Sequence, residues 1–130
     1  MPMNQDVLRL LISLGLGTLI GLEREVSDKA AGLRTNILIC VGATLFTSLS
    51  FTFSSGNDPT RIAAQIVSGI GFLGAGAIMR DGDRVTGLTT AATIWIVAAI
   101  GVAVGFGYYS MAALTTAIVL LVQLFFTRLD

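Results

Sequence analysis

Five apolar runs, each long enough to cross much of a bilayer, divide this chain and leave little room for anything else. They read as helices over Val7–Leu22, Thr35–Phe53, Thr60–Met79, Thr89–Phe106 and Ser110–Phe126. A spanning helix needs about 17–25 residues, and these runs sit near the lower limit. A soluble chain of 130 residues has no surface to spare for five such helices. A membrane β-barrel would need alternating apolar and polar residues, which are absent. Composition agrees: 54% of the residues are hydrophobic, 12% are charged, and mean hydropathy is +0.83. Soluble domains carry about 25% charge. The expected fold is an all-α integral membrane protein, one domain over residues 1–130, with the lipid bilayer as its first partner.

The same composition excludes several functions. Formal net charge is zero, which gives no footing for nucleic acid. Histidine is absent, which removes the commonest metal ligand and the usual general base. The single cysteine, Cys40, lies in an apolar run and reads as a small buried residue. Gly69-Ile70-Gly71-Phe72-Leu73-Gly74 matches the dinucleotide fingerprint in letters only, because it lies inside an apolar span and not at a strand-to-helix turn. No cofactor and no enzymatic activity are expected. The first run ends in Glu23-Arg24-Glu25, not in a small-residue cleavage site, and reads as a retained helix.

Orientation follows from the basic residues. The loops after helices 1 and 3 and the C-terminal end hold Arg24, Lys29, Arg34, Arg80, Arg84 and Arg128, and the opposite side holds Arg9 and Arg61. Six against two places the N-terminus outside and the C-terminus in the cytoplasm. The loops also repeat: Asp28-Lys29-Ala30-Ala31-Gly32-Leu33-Arg34-Thr35 matches Asp83-Arg84-Val85-Thr86-Gly87-Leu88-Thr89-Thr90. Two helices separate the copies, so the repeat is parallel, about an axis along the membrane normal.

Small residues mark where helices meet. Gly17-xxx-Gly21 and Gly101-xxx-Gly105 lie on single helix faces, and Gly69, Gly71, Gly74 and Gly76 crowd helix 3. Such residues let backbones approach in lipid. They serve packing within one protomer or a seam between copies, with helix 1 favoured for a homodimer. The cytoplasmic loops gather Glu23, Arg24, Glu25, Asp28, Lys29, Arg34, Arg80, Asp81, Asp83 and Arg84. They read as the functional face, with Glu23 expected to pair with Arg34 and with Thr35 and Thr90 expected to cap helices 2 and 4. Asp81 and Asp83 are weak candidates for holding hydrated Mg²⁺. Beyond Arg9 and Arg61 in their first turns, the spans hold hydroxyls, Gln65 and Gln123 but no charge, which disfavours a proton-coupled carrier.

Four blocks carry a likeness to a known family. Gly21-Leu22-Glu23-Arg24-Glu25, Gly32-Leu33-Arg34-Thr35, the stretch Arg61 to Gly76, and Gly87-Leu88-Thr89-Thr90-Ala91-Ala92 resemble, in order and spacing, the hydrophobic domain of the MgtC/SapB family. The resemblance implies a bacterial inner-membrane protein tied to growth in low Mg²⁺ and, in pathogens, to survival inside macrophages. It implies a non-enzymatic regulator that contacts other membrane proteins, notably the F-type ATP synthase. The alternative is a small channel or transporter for Mg²⁺ or a monovalent cation. Many members carry a cytoplasmic domain after the last helix; this chain ends at Asp130, so it reads as a short member or a truncated one.

Overall fold

A computed structural model describes residues 3–53 and 58–126. It contains α1 (Met3–Val26), α2 (Leu33–Thr52), α3 (Arg61–Ala75), β1 (Met79–Asp81), β2 (Arg84–Thr86), α4 (Leu88–Gly105) and α5 (Tyr109–Phe126). Ser54, Ser55, Gly56 and Asn57 of the expected turn, and Arg128 and Asp130, lie outside the described residues.

All five expected helices form. Among the described residues four, α1, α2, α4 and α5, are long and apolar enough to cross a membrane. α3 has 15 residues, about 22 Å of helix, and is shorter than the expected span. It stops at Ala75, where the chain passes through Gly76 into an antiparallel hairpin. Met79 pairs with Thr86 and Asp81 with Arg84 in that hairpin. Its two-residue loop opens on Gly82 at φ +65°, which suits the twist of a tight hairpin. The second charged loop is thus a small exposed sheet. α1 departs the other way: it runs one turn past the expected end and takes Glu23, Arg24 and Glu25 into its last turn.

The helix starts also differ from expectation. Gly32 and Gly87 are the N-caps of α2 and α4, and neither helix has a side-chain cap hydrogen bond. Thr35 and Thr90 lie inside the first turns. Thr90 is buried and Thr35 is exposed. The two cap glycines are equivalent positions of the sequence repeat, and they begin two parallel helices. Gly87 sits at φ +87°, where any other residue would be strained.

α2 and α4 form the centre of the bundle. α2 packs on α1, α3 and α4, and α4 packs on the other four helices. The glycine pairs set these contacts. A Cβ at Gly17 would lie 3.0 Å from Cys40 Cβ, and one at Gly21 would lie 2.9 Å from Leu33 O. A Cβ at Gly101 would lie 2.5 Å from Cys40 O, and one at Gly105 would lie 2.5 Å from Thr47 Cβ. Cys40 is fully buried where both seams converge on α2. The Gly17 and Gly21 face, favoured above for a homodimer, is therefore filled by α2 of the same chain. Without a hydrophobic drive between helices in lipid, such close backbone contact supplies the attraction.

Candidate functional site

The loop end of α1 holds the densest polar cluster. Residues 13, 17, 20, 21 and 24 are all buried, and this face looks onto α2. Arg24 continues it, with its side chain 1% exposed. Its charge is met by the adjacent Glu23, itself 8% exposed: Nε donates to Oε2 at 2.7 Å and Nη2 to Oε1 at 3.2 Å. Ser27 Oγ donates to the same Oε1 at 3.0 Å. This two-pronged pair is the geometry a desolvated guanidinium requires.

Glu23 therefore pairs with Arg24, not with Arg34 as expected. Neighbours on a helix do not usually face each other, but at the last turn a long arginine can fold back onto its own helix. Arg34 is exposed on the first turn of α2. Glu25 has a different task. Its Oε1 accepts from Leu33 N–H at 3.1 Å, placing a carboxylate on the positive end of α2. A Cβ on Gly32 would collide with that carboxylate, so glycine lets it in.

Asn36 completes the cluster and carried no weight in the sequence reading. It is fully buried, and Nδ2 donates to Ala31 O at 3.0 Å and Gly32 O at 2.8 Å. Within this cluster, among the described residues, two buried atoms keep no hydrogen-bond partner: Arg24 Nη1, a donor, and Asn36 Oδ1, an acceptor. The available signal was an amide four residues after a cap glycine.

The other charged residues stand apart from this cluster. Asp28 is exposed at φ +57°, a left-handed position that aspartate tolerates. Lys29 is half-buried, and Arg80, Asp81, Asp83 and Arg84 are exposed on the hairpin. Asp81 sits opposite Arg84, and Arg80 Nε donates to Gly82 O at 3.1 Å. Among the described residues no group of three or more Cys, Asp or Glu side chains could hold a metal ion.

At the other end Arg9, 9% exposed inside α1, donates to Tyr109 Oη at 3.3 Å and ties α1 to the start of α5. Ser50 Oγ bonds Pro59 O and accepts from Ile62 N–H at 3.2 Å, fixing α3 to the end of α2. Between the ends, hydroxyls serve their own helices. Thr47, Thr93 and Thr116 each donate to the carbonyl four residues back, at 2.8 Å. At depth, Thr44 Oγ1 donates across to Gly101 O at 2.9 Å and Gln123 Nε2 to Thr93 Oγ1 at 2.7 Å. Gln65, the other glutamine of the spans, is exposed on α3 and borders an apolar groove of about 420 Å³ against α2.

The MgtC family profile matches residues 10–130. Protein MgtC of Salmonella typhimurium is 53% identical over 120 residues, covering 92% of this chain and 52% of the relative. Protein MgtC of Brucella abortus is 54% identical over 108 residues, covering 83% and 45%. An uncharacterized protein of Synechocystis is 46% identical over 124 residues, covering 95% and 53%. The chain thus spans about half the length of these relatives. No solved structure matches it. With four membrane-length helices and this match along nearly its whole length, the chain is a multi-pass membrane protein of the MgtC family.

Proposed function

We propose that this chain is a non-enzymatic regulator in the bacterial inner membrane, tied to adaptation to low Mg²⁺ and, in pathogens, to survival inside macrophages. It works by contact with other membrane proteins, the F-type ATP synthase among them. The relatives named Protein MgtC support the family setting. The observation that carries action by contact is the filled interior. α2 and α4 meet backbone to backbone at Gly101 and Gly105, and the buried threonine hydroxyls there are spent on helix carbonyls. A cation path through lipid needs oxygens free to replace water around the ion.

The contact surface in this reading is the cytoplasmic end, where Asp28 and Arg34 are exposed beside the end of α1 and Arg80, Asp83 and Arg84 are exposed on the hairpin. Six basic residues against two support an N-terminus outside and a C-terminus inside. The test is growth in limiting Mg²⁺ of a strain that depends on this protein. Arg34→Ala combined with Arg84→Ala is expected to lose the growth advantage at unchanged membrane level. Growth like the parent would refute the assignment of that face.

A further inference from the structure

The groove between α2 and α3 has a volume of about 420 Å³. Its floor is apolar and buried: Ile39 and Ala43 of α2, Ile70 of α3 and Ala98 of α4. Gly42 on α2 and Gly69 on α3 also line it, and a Cβ built on either meets nothing within 4 Å. At Gly17, Gly21, Gly101 and Gly105 a Cβ would strike a neighbouring helix. Those four glycines bring helices together, and these two leave a channel between them.

Space of this kind does not stay empty in a membrane. The walls of a void lose their dispersion contacts, and hydrocarbon has no water to fill it. A helix is about 10–12 Å across, so a stretch as long as α3 would occupy about 2,000 Å³, far more than the groove. An extended chain of methylenes is thin enough to enter.

One end of the groove is polar. Gln65 is the one polar side chain lining it, and it hydrogen-bonds to none of the described residues. Arg61 lies one turn nearer the start of α3, about 40° around the helix from Gln65, and is exposed. Neighbouring Asp58 is engaged elsewhere, since its Oδ1 accepts from the Thr60 N–H at 2.9 Å and the Thr60 hydroxyl at 2.6 Å. Tyr108, exposed at this same end of the bundle, is a side chain typical of a membrane–water boundary. Arg61 and Gln65 are separated by about 6 Å of helix rise, and the headgroup layer of one leaflet is about 5–7 Å deep. A phosphate at Arg61 therefore brings the glycerol esters beneath it level with the Gln65 amide.

We propose that this groove binds an anionic phospholipid from the leaflet at the end of the bundle opposite the hairpin. The phosphate sits on Arg61, an ester carbonyl accepts from Gln65 Nε2, and one acyl chain lies over Gly69 and Gly42. Charge selects the headgroup. A guanidinium matches phosphate oxygens in pairs, and the positive end of α3 beside it favours net negative charge. The amide that hydrocarbon would leave unpaired gains an acceptor. This site does not depend on the cytoplasmic face assigned above.

The test places the whole chain in lipid nanodiscs with a phosphatidylglycerol that carries a diazirine on its acyl chain. After photolysis, mass spectrometry of peptides locates the adducts. They are expected to concentrate on the groove residues of α2 and α3, above those on the exposed leucines of α5. Gly69→Leu fills the groove and should abolish its adducts while those on α5 persist. Gly71→Leu, where a built Cβ also meets nothing within 4 Å but which does not line the groove, should leave them unchanged. Arg61→Ala should weaken competition by unlabelled phosphatidylglycerol about fivefold, and Arg61→Lys should retain most of it. Arg61 is exposed, so its replacement leaves the fold intact. Phosphatidylcholine should compete weakly. Adducts spread evenly over α3 and α5 overturn the proposal, as do groove adducts unaffected by Gly69→Leu or phosphatidylcholine competing as well as phosphatidylglycerol. Cys40 is fully buried, so an added cysteine reports alone. Ile66→Cys joined by a short bis-maleimide to another polypeptide, a second copy included, overturns lipid as the occupant. Loss of groove adducts in Arg61→Ala with low-Mg²⁺ growth intact separates this site from the function of the cytoplasmic face.

Discussion

Replacing Gly101 by alanine puts the α2–α4 seam to a quantitative test. The added Cβ would lie 2.5 Å from Cys40 O and 2.7 Å from Ala43 Cβ. Carbon contacts settle at about 3.5–4.0 Å, so the helices must open by about 1 Å. Such a gap forfeits a quarter to a half of the dispersion well at each contact along the seam. It also stretches the Thr44 Oγ1 to Gly101 O bond, 2.9 Å in the native chain, and interhelical bonds in membranes average about 0.6 kcal/mol. Overpacking strain adds about 1–3 kcal/mol, while alanine's better helix propensity returns up to about 1 kcal/mol. The net expectation is a loss of about 2 kcal/mol. Steric trapping or SDS unfolding in mixed micelles measures it. Gly15→Ala is the control, since nothing lies within 4 Å of its built Cβ, and it should be neutral or slightly stabilising. Equal stability of the two variants would refute the seam.

Two further outcomes are expected. Glu23→Gln leaves the Arg24 guanidinium buried without its counter-charge and should cost about 3–5 kcal/mol, whereas exposed Arg34→Ala should change stability by less than about 0.5 kcal/mol; the same unfolding assay compares them, and equal losses would contradict the Glu23–Arg24 pairing. Asp58 is held below the usual carboxylate range, first by the Thr60 hydroxyl and then by the Thr60 backbone N–H. Because its folded pKa is depressed, its stabilising contribution is present above the unfolded value of 3.8 and is lost as pH falls through the folded one. Thr60→Val should move the Asp58 titration upward by carboxyl NMR, and an unmoved titration would show that the hydroxyl does not set it.

Apolar run length located all five helices, because no other arrangement hides so much apolar surface. Glycine spacing marked the seams correctly but could not say which helix fills them. Gly17 and Gly21 turned out to meet α2 of the same chain, while Gly69 and Gly71 of α3 meet no neighbour. Charge was the weakest guide at the helix ends. Glu23 to Glu25 read as loop because the apolar run stops there, yet a helix reaching the headgroups can carry charge for another turn. The Glu23–Arg24 pair is set by side-chain wrapping at that last turn, which sequence separation does not encode. The hairpin did leave a trace, since Asp81-Gly82-Asp83 offers a glycine-first turn between two short strands. A reading in terms of apolar spans treated it as loop.

Purified full-length chain in liposomes loaded with a Mg²⁺ indicator and voltage-sensitive dye bears on whether the bundle acts by contact or by passage. With its interior helices touching at Gly101 and Gly105, the protein is expected to admit Mg²⁺, K⁺ and Na⁺ no faster than protein-free vesicles. Cation entry that rises with protein density and saturates with cation concentration would contradict that account.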